Sequence, residues 1–187
     1  MRQIFSKSHS NRERGIEMVL EELRTTQNRQ DFIGACLFVV KNLVDDKIAT
    51  VLLSTFSLLI EMLKKLKPQP SPYNQPTIDY ILEKMGDYLG HTNEKIRATV
   101  EDAFGNIFPM YHLIGKDSCY RALTVLGKRD RPPKILAGRL KALNKIVTDY
   151  QLGKDYESVI QYAVKYADDK NNDVRTWAIS LLCSIAA

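Results

Sequence analysis

A recurring helix start constrains this chain more than any other feature of its sequence. Asn93-Glu94-Lys95-Ile96-Arg97 and Asn171-Asn172-Asp173-Val174-Arg175 read as the same turn followed by the same first helical turn. Between them, Ile135 follows Pro132-Pro133. Proline is tolerated at such a position because the first backbone N–H groups of a helix have no intrahelical partner. Ile96, Ile135 and Val174 are spaced 39 positions apart. Ile48 precedes Ile96 by 48, and a proline-rich stretch between them accounts for the extra nine.

The segments between these starts have apolar residues at helical spacing, and strand signals are scarce. The first helix is predicted over 11–25, with Ile16, Val19, Leu20 and Leu23 on one face and Ser10 as its cap. A second starts near Asp31 and carries Phe32, Cys36, Val39, Val40 and Leu43. A third covers 46–65, with Ile48, Leu52, Phe56, Leu59, Ile60 and Leu63. Four prolines in nine residues then stop the helix, each removing a donor and restricting its predecessor. This predicts an internal linker over 67–76. Further helices are expected over 76–89, 93–108, 117–126, from Pro132 to about Gly153, over 156–167 and from Asn172 to the end. Short loops between amphipathic helices give antiparallel hairpins. Two helices per unit of about 40 residues is the signature of HEAT or armadillo arrays. The expected fold is an all-α HEAT-repeat solenoid: one domain over 1–187, with four helix pairs plus a leading helix without its partner, about four and a half pairs in all.

Composition narrows the function classes. The formal charge is +5 and the pI about 9.0, which favours acidic partners without choosing among them. Cys36, Cys119 and Cys183 are odd in number and form no CxxC, so they are expected to be reduced core thiols. No signal-peptide run opens the chain, and no stretch approaches the ~18 apolar residues of a membrane span. A soluble intracellular protein without membrane association is expected. His9, His91 and His112 lack metal-ligand spacing, and Asp45-Asp46 and Asp168-Asp169 are better read as helix-start acids. GxxxxGK[ST] is absent, and no nucleophile motif is present. The chain is therefore expected to be no enzyme, with no cofactor and no metal. Nucleic acid is not the expected partner either. Tyrosines such as Tyr156, Tyr162 and Tyr166 fall on buried or boundary faces, and no base-reading code recurs per repeat.

In an array the intra-pair loops line one edge, and function concentrates there. Five loops should do so here: 6–12, 44–47, 90–95, 128–134 and 168–173. The fourth holds four basic side chains, Lys128, Arg129, Arg131 and Lys134, within seven residues. Asn93 and Asn172 are expected to be helix caps, and Trp177, inside the last helix, a core residue.

The order and spacing of Ser10-Asn11-Arg12-Glu13-Arg14, Asn93-Glu94-Lys95-Ile96-Arg97 and Asn172-Asp173-Val174-Arg175 resemble a TOG domain. TOG domains are tubulin-binding HEAT arrays that bind through this edge. Within the family the likeness is greatest to a TOG domain of centrioles and ciliary tips. The resemblance covers essentially the whole chain and implies αβ-tubulin and microtubules as partners, for a domain monomeric in isolation. By it, the tubulin-facing residues are His9, Lys47, Ile48, Asn93, Lys95, Arg97, Arg131, Lys134, Asn172 and Arg175. The family commonly places Trp in the first loop, where this chain has His9. A generic HEAT scaffold for another acidic protein is the alternative.

Overall fold

The computed structural model describes residues 3–25, 30–65, 75–110, 114, 116–124, 132–150 and 157–187. Nine α-helices account for most of these residues: α1 (His9–Thr25), α2 (Gln30–Leu43), α3 (Ala49–Lys64), α4 (Gln75–Tyr88), α5 (Glu94–Ile107), α6 (Lys116–Thr124), α7 (Pro133–Tyr150), α8 (Glu157–Tyr166) and α9 (Asn172–Ala186). A 3-10 turn, Phe108–Met110, follows α5. No strand occurs among the described residues.

The helices form two layers. α1, α3, α5, α7 and α9 pack side by side in chain order, and α2, α4, α6 and α8 pack behind them in the same order. α2 with α3, α4 with α5, α6 with α7 and α8 with α9 are the successive helical hairpins, and α1 leads without a partner, as the sequence predicts. The 39-residue spacing exists because each pair buries its apolar stripe only by stacking on the next. One continuous set of buried side chains results, running from Ile4 and Ile16 through Phe56 and Phe104 to Leu143 and Leu181. Each fully buried Leu, Ile or Phe contributes roughly 1.5–3 kcal/mol relative to exposure.

The helix starts refine the repeat. The carbonyl of the residue before each odd helix accepts the first intrahelical N–H: Ser8 from Arg12, Ile48 from Leu52, Asn93 from Arg97, Pro132 from Leu136 and Asn171 from Arg175. Ile48 is thus the cap equivalent to Asn93, and Val51, fully buried, is the counterpart of Ile96. The expected alignment of Ile48 with Ile96 is off by three, because two apolar residues compete at that helix start and only the cap distinguishes them. Ser10 lies inside α1, and Ser8 takes the cap position. Asn171, not Asn172, caps α9: its side chain accepts from Asp173 N and Val174 N. Asn93 caps α5 as expected.

Cys36 and Cys119 are buried, and burial pushes their thiols up to about 11 and about 12. Cys183, expected in the core, is exposed on α9. Tyr162 and Tyr166 are buried, whereas Tyr156 and most of the linker lie outside the described residues. Gln75, placed in the linker, and Pro76, the expected helix start, form the first turn of α4. Among the described residues no helix is long and apolar enough to cross a membrane, and no three His, Cys, Asp or Glu side chains gather as metal ligands.

Candidate functional site

α1, α3, α5 and α9 are each entered through a loop built on one plan. Two residues before the cap, a short polar side chain accepts the cap's backbone N–H. Ser6 Oγ accepts from Ser8 at 3.2 Å, Asp46 Oδ1 from Ile48 at 2.9 Å, His91 Nδ1 from Asn93 at 3.0 Å and Asp169 Oδ1 from Asn171 at 2.7 Å. This satisfies a backbone donor that the turn would otherwise leave open. It also explains how Ile48, which has no side-chain acceptor, can occupy a cap position.

Four residues after the cap, arginine recurs in three loops and folds back over its own turn. Arg12 Nη1 donates to Ser6 O at 2.9 Å and Lys7 O at 3.0 Å. Arg97 Nη1 donates to His91 O at 2.6 Å and Thr92 O at 3.0 Å. Arg175 Nη1 donates to Asp169 O at 2.8 Å, and its Nη2 to Asn172 Oδ1 at 2.9 Å. Arg97 and Arg175, both expected to face a partner, are therefore half-buried clamps that hold the loops in shape. Charge-assisted bonds to two carbonyls are among the stronger local restraints available. Arg97→Ala is expected to cost about 1–2 kcal/mol. Amide hydrogen exchange should locate the loss, with protection falling around 91–97 and not in α2 or α8.

Neighbouring loops are joined as well. Arg12 grips Asp46 with two bonds, Nε to Oδ2 at 2.7 Å and Nη2 to Oδ1 at 3.1 Å, which ties the first loop to the second. Asp45 receives Lys84 Nζ at 2.9 Å and the Tyr80 hydroxyl at 3.1 Å, which ties the second loop to α4. The Tyr88 ring lies between Phe56 and His91, and its phenol is pushed up to about 12, chiefly by burial. Residues of the third loop, of α7 just after the fourth, and of α9 just after the fifth line one groove of about 310 Å³.

With Asp45, Asp46, Asp169 and the three clamp arginines so engaged, the lysines stand apart. Lys7, Lys47, Lys95, Lys134 and Lys170 are all exposed, and none of their side chains has an acceptor or ion-pair partner among the described residues. There is one in, or at the helix-side end of, each of the five loops. The sequence singled out Lys47, Lys95 and Lys134 as site residues. It placed Lys7 and Lys170 in loops without assigning them a role. His9 and Asn172 are the exposed first residues of α1 and α9, and Ile48 leaves 38% of its surface in water. Arg131, with Lys128 and Arg129, lies outside the described residues.

No family model matches the sequence, and no curated protein matches it. Solved structures do match the fold. TOG3 of Drosophila melanogaster Mini spindles superposes with a TM-score of 0.81 at 14% identity, covering 99% of this chain and 79% of that one. A TOG structure described for TOG–tubulin binding specificity in microtubule dynamics and mitotic spindle formation matches at 0.79 and 13%, covering 98% and 74%. One from crescerin, which uses a TOG domain array to regulate microtubules in the primary cilium, matches at 0.73 and 14%, covering 94% and 72%. The chain has the HEAT-repeat solenoid fold of TOG domains.

Proposed function

We propose that residues 1–187 act as one non-catalytic, TOG-like domain that binds αβ-tubulin through the five-loop edge. The row of five exposed, unpartnered lysines carries this reading. Long-range attraction to an acidic surface steers encounter and sets orientation. A single exposed pair contributes only ~0–1 kcal/mol, so the row acts collectively and its effect weakens with salt. Under this reading His9, Lys47, Ile48, Lys95, Arg131, Lys134 and Asn172 meet the partner. Asn93, Arg97 and Arg175 shape the loops that present them. Centrioles and ciliary tips are the proposed location, by the likeness to TOG domains that act there.

Size-exclusion co-elution with unpolymerised tubulin at two salt concentrations tests the reading. A complex that weakens as salt rises is the expected result. The absence of a complex at either salt would exclude tubulin and leave the generic scaffold. The double reversal Arg131→Glu and Lys134→Glu should weaken binding about tenfold or more, with helicity and melting unchanged. His9→Trp should strengthen it, since Trp supplies contact area that His lacks. A neutral outcome would mean that the first loop is not engaged.

A further inference from the structure

We infer that the groove behind the third, fourth and fifth loops is an anchor pocket for a carboxylate side chain of the tubulin surface, with Trp177 as its wall. The inference rests on the tubulin reading and extends it from the loop tips to the helices beneath them.

The groove crosses three helices of one layer. Arg97 and Glu101 come from α5, Lys134 and Ala137 from α7, and Asp173 and Trp177 from α9. Trp177 is the only tryptophan in the chain. It packs against the core, as its helical setting suggests, and also lines the groove. Its indole N–H has no acceptor among the described residues, and neither has the Lys134 ammonium. His91 also lines the groove. Its Nδ1 accepts from Asn93, so the neutral ring carries its hydrogen on Nε2. The wall therefore presents several donors beside the carboxylates of Glu101 and Asp173.

Its charges point the same way. Glu101 is already paired with Lys141 at 3.0 Å. Asp173 sits in the first turn of α9, where the helix dipole offsets its charge. Arg97 spends its hydrogen bonds on carbonyls, which do not neutralise it. Arg97, Lys134 and Lys141 outnumber Glu101 and Asp173 along the groove, and Lys134 has no ion-pair partner among the described residues. A Glu or Asp side chain fits this setting: its carboxylate meets Lys134 and the ring donors, and its methylenes lie on Trp177 and Ala137. The groove's size, about 310 Å³, suits one or two side chains. Trp and Arg in a partly desolvated pocket are the residue types that dominate binding energy at interfaces. His9 leaves the first loop without such an anchor. The strongest contact of this ridge therefore lies at its other end.

Two measurements on the whole domain with unpolymerised tubulin test this. Ala137→Leu fills the groove without altering charge, and it should weaken binding about tenfold or more while melting is retained. Lys47→Glu, remote from the groove, serves as the ridge control. With 5-fluorotryptophan incorporated, the single 19F resonance reports Trp177 directly. Its H2O-to-D2O isotope shift should shrink when tubulin binds, because the groove is covered. An unchanged isotope shift in the complex would overturn the anchor pocket, while weakening by Lys47→Glu would keep the ridge standing. Failure of the wild-type domain to bind tubulin would overturn both.

Discussion

Arg139→Ala is expected to cost about 3–5 kcal/mol, and Arg139→Met far less. Arg139 is 0% exposed, midway along α7. Its Nε donates to Gly86 O at 3.3 Å, and its Nη2 meets Asp87 Oδ1 at 2.9 Å. These bonds fasten α7 to the end of α4, and Gly86 also abuts the carbonyl of Ala122 on α6. A guanidinium in this position has lost its water, so its partners are obligatory. Truncation to Ala leaves a cavity and removes one partner of Asp87. Asp87→Ala is expected to be costly as well, since it takes a carboxylate away from a buried cation. Methionine fills similar volume and carries no charge to satisfy. Chemical denaturation of the three variants checks the ordering. Equal losses for Met and Ala would mean that the bonds, not the volume, hold the three helices together. Hydrogen exchange should localise the damage to α4, α6 and α7, because each repeat contacts only its neighbours.

Arg139 also shows where the sequence stops being legible. Arginine is seldom fully buried, and helical periodicity reads it as solvent-facing. Its burial depends on a glycine 53 positions earlier, a pairing that no local pattern encodes. The helices were legible because their signals are local: 3.6-residue spacing, prolines at starts and breaks, and Asn caps. The layers followed from the period. The loops were legible in place but not in role. Arg97 and Arg175 look like surface cations, and only the return of their guanidinium groups to carbonyls five and six residues back reveals clamps. The recurrence of arginine four residues after three caps was the available signal. Asp46 hid the start of α3 in the same way, by capping from two residues before Ile48. Trp177 packs against the core as its helical setting suggests, and only the neighbouring helices show that it also lines a groove.

Gly138→Ala should lower the melting temperature by about 6–12 °C, the equivalent of about 3 kcal/mol in a chain of this size. Gly138 lies in the second turn of α7, against the carbonyl of Leu89 at the end of α4. A Cβ there would overlap backbone, which no rotamer change can relieve. The next residue closes the same contact from the other side: a Cβ on Gly90 would sit 2.6 Å from Ile135 N and 2.7 Å from Ile135 Cα. The third loop and the start of α7 thus meet backbone to backbone, and this meeting fixes where Lys134 sits relative to the third loop. Displacing α7 moves Lys134 relative to Lys95 and opens the groove at Ala137. Tubulin binding by Gly138→Ala should therefore fall further than for any single surface charge, even at temperatures where helicity is intact. Two glycines supply the internal control. Gly34 in α2 and Gly105 in α5 have nothing within 4 Å of an added Cβ. Alanine at either should stabilise the chain by roughly 0.5–1 kcal/mol through helix propensity alone. Opposite signs at chemically identical substitutions would isolate the backbone contact as the cause. A neutral Gly138→Ala would show that the contact yields, and that the position of Lys134 is set elsewhere.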